Sequence, residues 1–124
     1  MASHRERLRV LWIDTDAGGR IHFTAAFRWA EAAELALYRR LGLIEHVPRL
    51  PRRHVEADYR RVLVFDDEID VTLTVAAVGT TSITYAWQIA RDGELAVEGR
   101  HTVVHVDEEG RAQPLADDVR AALA

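Results

Sequence analysis

The stretch from Val10 to Glu31, VLWIDTDAGGRIHFTAAFRWAE, constrains this chain more than any other. An apolar run passes into an acidic, glycine-containing turn, and the turn passes into a helix. Leu8, Val10 and Trp12 alternate with Arg9, Leu11 and Ile13, which predicts a strand there, preceded by a polar, frayed segment at residues 1–7. Residues 14–19 stop the strand, because aspartate supports turns through its side chain and glycine reaches positive φ without a clash. From Thr24 to Leu41 few breakers occur, and Ala26, Ala30, Ala33, Leu37 and Leu41 form a helical stripe that ends at Gly42. A carboxylate is thereby held just ahead of a helix N-terminus, where unpaired N–H groups favour negative charge.

Downstream, Pro48 and Pro51 make residues 46–53 a loop. The period then changes to two. Val55, Ala57 and Tyr59 mark one half-buried strand, Ile69 to Val75 a second and Ile83 to Ile89 a third. Asp92-Gly93 is a strong hairpin signal leading into a fourth strand from Glu94 to Val106, and Leu115 to Leu123 reads as a short amphipathic helix. One strand, one long helix and an antiparallel run of strands predict an α+β layer whose sheet buries one face against that helix.

The 124 residues fit one domain, 1–124, with 48% hydrophobic and 29% charged residues, which excludes disorder. A net charge of −4 gives no support to nucleic-acid binding, and the absence of cysteine removes disulfides, thiolate metal sites and a cysteine nucleophile. No apolar run approaches the roughly 20 residues that span a bilayer, so no membrane association is expected, and a cytoplasmic location is the default. G-x-S-x-G, P-loop and dinucleotide-binding glycine motifs are all missing, which takes the main support from serine hydrolase, P-loop and Rossmann readings.

The motif DTDAGG, with Ile21, Phe23, Arg28-Trp29 and Glu31, resembles the opening of the hotdog-fold acyl-CoA thioesterases of the 4-hydroxybenzoyl-CoA thioesterase family. Phe65-Asp66-Asp67-Glu68, Arg91-Asp92-Gly93-Glu94, Glu98-Gly99-Arg100 and the Pro-Leu-led final helix extend the resemblance over nearly the whole chain. It implies a hotdog fold, an antiparallel sheet wrapped around one long central helix. It also implies hydrolysis of an acyl thioester of coenzyme A or acyl carrier protein, without metal or redox cofactor, by a homodimer or homotetramer with active sites at the interface. Asp16, the second aspartate of DTD, matches the catalytic carboxylate. A hotdog hydratase or dehydratase, and a noncatalytic acyl-thioester binding module, are the alternatives.

Each candidate also has a plainer reading. Asp14 and Asp16 suit a turn. As a catalyst, Asp16 would act as nucleophile or as general base to water, while backbone N–H groups near Phe23 stabilise the oxyanion. One branch of the family has histidine where this chain has Phe23; His22 lies one residue early, which favours the branch that works with aspartate and a backbone amide. Ala26 stands where many relatives carry tyrosine and would widen an acyl pocket. Glu31 matches an acidic family position and is a supporting carboxylate or a surface charge, whereas Glu34 replaces an arginine and has no assigned role. Arginines 49, 52, 53, 60 and 61 form the one basic cluster, in which Arg52 and Arg53 are candidates to grip the phosphates of coenzyme A. His101 and His105 would stand about 13 Å apart on a strand, too far to share an ion.

Overall fold

The computed structural model describes residues 1–124. Its elements are β1 (Ser3–Arg9), α1 (Ala25–Arg40), β2 (Arg52–Tyr59), β3 (Glu68–Val78), β4 (Ser82–Arg91), β5 (Glu94–Val104) and α2 (Asp117–Leu123), with 3-10 turns at Trp12–Asp14 and Ile44–Arg49. The five strands form one antiparallel sheet in the order β1-β3-β4-β5-β2.

Alternation decides which face is buried. Ile69, Val71, Leu73 and Val75 of β3 and Ile83, Tyr85, Trp87 and Ile89 of β4 all point into the core, while the residues between them are at least partly exposed. Against this face lies α1, which buries Ala25, Ala26, Trp29, Ala30, Ala33, Glu34, Leu37 and Tyr38. Its alanines bring the helix close to the flat sheet. Leu37 is fully buried, and truncating a leucine in such a place costs about 2–5 kcal/mol. At the centre, Trp87 faces Gly99 across the β4–β5 ladder. A Cβ on Gly99 would lie 2.3 Å from the indole and 2.4 Å from the Glu56 carbonyl, so only glycine lets the indole lie flat there. The β4–β5 hairpin turns through Asp92 and Gly93, both at positive φ (50° and 78°), which matches the primed turn that Asp-Gly favours.

Several boundaries differ from the sequence reading. The first strand is Ser3–Arg9, not Leu8–Ile13, and residues 3–7 are ordered within it. Arg5, Arg7 and Arg9 form ion pairs with Asp70, Glu68 and Asp66 of and beside β3, and these polar rungs hold an edge strand that shows little apolar alternation. Trp12–Asp14 coils because the Asp14 carboxylate accepts the Leu11 N–H at 2.8 Å. Residues 46–53 are not simply a loop: a 3-10 turn accommodates Pro48, and β2 begins at Arg52. The fourth predicted strand ends at Val104, two residues early, and α2 starts at Asp117. Finally, β2 is not half-buried. It is an edge strand on which Val55 is 48% and Tyr59 46% exposed.

Candidate active site

The DTDAGG segment folds into a small hairpin in front of α1. Thr15 bridges Ile21, the Asp16 N–H donates to the Arg20 carbonyl at 2.7 Å, and the His22 N–H donates to the Asp14 carbonyl at 2.7 Å. Gly19 takes the positive φ (80°) that reverses the chain. A second layer supports the hairpin from below, where Arg20 bridges Val64 and the Ile21 N–H donates to the Leu63 carbonyl.

The two aspartates are used differently. Asp14 is 5% exposed; one carboxylate oxygen takes the Leu11 N–H and the other takes the Arg28 guanidinium at 3.0 Å. It ties the segment after β1 to the first turn of α1. Asp16 is exposed, and only its Oδ1 is engaged, by the Gly18 N–H at 2.8 Å. Its other oxygen has no partner within the chain.

At the start of α1, the Ala25 N–H donates to the His22 carbonyl at 2.9 Å. In a trans peptide the N–H lies opposite the carbonyl, so the Phe23 N–H points away from the helix body. It donates to nothing in the chain, and neither Asp nor Glu occupies the first turn. The arrangement is an amide with no partner in the chain at the positive end of a 16-residue helix, a place that favours negative charge. His22 is exposed; its Nδ1 lies 2.7 Å from the Thr24 hydroxyl and its ring stacks on Phe23, with centroids 4.7 Å apart. The structure brings Asp16, His22 and Phe23 onto one hairpin and helix entrance. Glu31 is exposed with no ion pair, and Ala26 is fully buried in the core under α1 rather than on a surface cavity.

Between the hairpin and the segment after β2 is a cavity of about 260 Å³, lined by Arg20, Ile21, Tyr59, Arg60, Arg61, Val62 and Leu63. Arg60 pairs with Glu98 and Arg61 with Glu94, while Arg20 has no ion pair. A second cavity, of the same size, opens on the opposite face of the sheet among Glu56, Asp58, Gln88, Glu98 and Arg100.

Arg52 keeps about a third of its side chain exposed (35%), but its guanidinium turns inward. The pairing of β2 with β5 shifts between Arg52 and His54, so Arg53 bulges and Arg52 turns to the helix-facing side opposite Val103. There it donates to Glu34 at 2.6 Å. Glu34, given no role by the sequence, is 2% exposed and also meets His101 Nε2 at 3.1 Å. His101 packs on Tyr85, whose hydroxyl lies 2.5 Å from that of Tyr38. Burial pushes the Tyr38 phenol up to about 12 and the Tyr85 phenol further in the same direction, with Glu34 adding to both. Arg53, by contrast, is exposed and unpaired. His105 Nδ1 lies 2.8 Å from the Pro114 carbonyl, away from His101's partners. Glu45, His46 and Asp118 place ligand atoms within 4.8 Å of one another, with both carboxylates exposed; the His46 hydrogen bond holds Asp118 below its usual carboxylate range.

Comparison with known structures defines the class. A 1,4-dihydroxy-2-naphthoyl-CoA thioesterase from Synechocystis superposes with a TM-score of 0.89 at 19% identity, covering 98% of this chain and 96% of the other. A thioesterase from Thermus thermophilus, complexed with coenzyme A and Zn, gives 0.88 at 23% identity over 97% and 90%. A predicted thioesterase from Bacillus stearothermophilus gives 0.87 at 25% identity over 98% and 94%. The fold is therefore that of the hotdog thioesterases. Residues 10–123 match the Thioesterase-like superfamily, and the chain belongs to it. No curated protein matches. No helix is long and apolar enough to cross a membrane.

Proposed function

We propose that this chain hydrolyses an acyl-CoA thioester to the free acid and coenzyme A, with Asp16 as the catalytic carboxylate. The observation that carries the reading is the pairing of a carboxylate with one uncommitted oxygen and an unpartnered Phe23 N–H at the entrance of α1. The thioester carbonyl oxygen sits on the Phe23 amide, which stabilises the tetrahedral oxyanion. Asp16 either removes a proton from the attacking water or attacks directly to form a mixed anhydride that water then opens. In both routes the C–S bond breaks and the thiolate leaves as the free thiol. An acyl carrier protein would present the same thioester, so both carriers belong in the assay. Exposed Arg53 attracts the nucleotide phosphates, and His22 flanks the reacting carbonyl.

A homodimer completes the site. The β2 edge offers unpaired backbone groups, and Trp12 (75% exposed), Ile13 (81%) and Phe65 crowd beside the acidic hairpin as an apolar patch of the kind that marks an interface. Isologous contact of two such edges extends the sheet. Sedimentation should give at least twice the single-chain mass at micromolar concentration; a monomer would refute this assembly. For the activity, a panel of acyl-CoA and acyl-carrier thioesters assayed for released thiol is the test. Binding without release would leave a noncatalytic module, and a change of double bond without thiol would mean a hydratase.

A further inference from the structure

Tyr59 ends the edge strand β2, and its backbone is fixed in register opposite Val97 of β5. Its hydroxyl leaves the sheet and donates to the Phe23 carbonyl, the one side-chain hydrogen bond to the main chain of that residue. Burial raises the phenol's pKa above its usual value, so the group stays a donor at neutral pH.

Three consecutive peptide planes run from Ile21 to Thr24, and two of them meet at Phe23. The plane before His22 is held by Asp14, through the His22 N–H. The plane carrying the Phe23 N–H is held only by the Ala25 N–H on the His22 carbonyl. The plane after Phe23 is held by Tyr59 at its carbonyl and, at the longer distance of 3.3 Å, by the Thr24 N–H on His22 Nδ1. Without Tyr59 only the longer Thr24 bond restrains the last plane, so the φ of Phe23 loosens and the middle plane can swing about its own bond. An oxyanion donor must be preset, because stabilisation is largest where no reorganisation accompanies the reaction. Resting on the thioesterase reading above, we propose that Tyr59 is a positioning residue that fixes the Phe23 amide in its oxyanion-binding orientation from the sheet edge. It touches neither the thioester nor Asp16; it acts through the backbone.

Tyr59→Phe keeps the ring against the Ile21, Val62 and Leu63 cavity and removes only the hydroxyl. In the full-length protein, kcat should fall about tenfold with KM nearly unchanged, since an interaction made only in the transition state is weakened. The carbonyl-carbon resonance of Phe23 should shift on losing its donor, with the thermal midpoint and oligomeric state preserved. A structural role alone would lower the midpoint and leave the kcat-to-KM split untouched. A Tyr59→Phe enzyme with wild-type kcat beside an inactive Asp16→Asn overturns the role of the tyrosine and leaves the site standing. An Asp16→Asn with wild-type kcat overturns the site, and the tyrosine's role with it.

Discussion

Asp16 and Glu34 are carboxylates at opposite ends of one design problem. Asp16 stands in water on a hairpin, held by a single backbone N–H, with one oxygen uncommitted. Glu34 lies on α1 with 2% of its surface exposed and is clasped by Arg52 of the edge strand β2 and His101 of the adjoining β5. The exposed group keeps one oxygen open to solvent. The buried one is costly to desolvate, so its worth lies in joining helix to sheet, through one oxygen that Arg52 and His101 share. Each should therefore govern a different measurement.

The largest effect belongs to the exposed member. Asp16→Asn retains an oxygen for the Gly18 N–H but can neither accept a proton nor attack as an anion. The variant should lose about two to four orders of magnitude in kcat with its unfolding transition unmoved. A folded Asp16→Asn protein with near wild-type thiol release would break the comparison at once.

Next comes the buried member, read by denaturant unfolding. Glu34→Ala strands Arg52 and His101 without their shared acceptor; Arg52 can turn to water, but buried His101 cannot, and an unsatisfied buried donor costs about 1–3 kcal/mol. Glu34→Gln keeps an acceptor oxygen for both donors and should lose clearly less. Equal stability in all three proteins would mean that the cluster is not a clasp.

What was legible in the sequence divides along the same line. The acidic hairpin and the helix start are local: aspartates, glycines and the following stripe are neighbours in the chain, so turn chemistry and periodicity expose them. The Asp92-Gly93 hairpin was legible for the same reason. The Glu34 cluster joins residues 18 and 67 positions apart and depends on a bulge at Arg53 that reverses which face Arg52 takes. Strict alternation would place Arg52 with His54, on the far side of the sheet. The one signal available was a glutamate one position from the alanine stripe of α1. β1 was misplaced because its rungs are ion pairs to β3, and pairs across strands leave no period in the sequence.

A smaller effect comes from pH. Tyr38 titrates near 10 when unfolded and near 12 when folded, so below pH 10 both states are protonated and stability is indifferent to this group. Between 10 and about 12 the unfolded chain binds fewer protons than the folded one, and stability falls by up to about 1.4 kcal/mol per pH unit for each such tyrosine. Tyr85, raised further, adds to the slope and extends it upward. Alkaline unfolding curves of the wild type and of Tyr38→Phe/Tyr85→Phe should diverge above pH 10, the double variant being the flatter. Parallel curves would mean that the two phenols ionise as easily inside as outside.

The smallest effect separates two neighbours in sequence. Arg52 is committed to Glu34, whereas Arg53, pushed out by the bulge, holds no partner. If Arg53 draws in the phosphates of coenzyme A, Arg53→Ala should raise KM a few-fold at low salt with kcat unchanged, and the difference should shrink as salt screens the attraction. A truncated thioester without the nucleotide should be hydrolysed equally by Arg53→Ala and wild type. Arg52→Ala should behave in the opposite way, lowering stability and affecting both substrates alike at every salt concentration, because what it removes is the charged partner of the buried Glu34 carboxylate. A salt-dependent KM change in Arg52→Ala alone, with Arg53→Ala silent, would reverse the assignment and show that the bulge delivers Arg52, not Arg53, to the nucleotide.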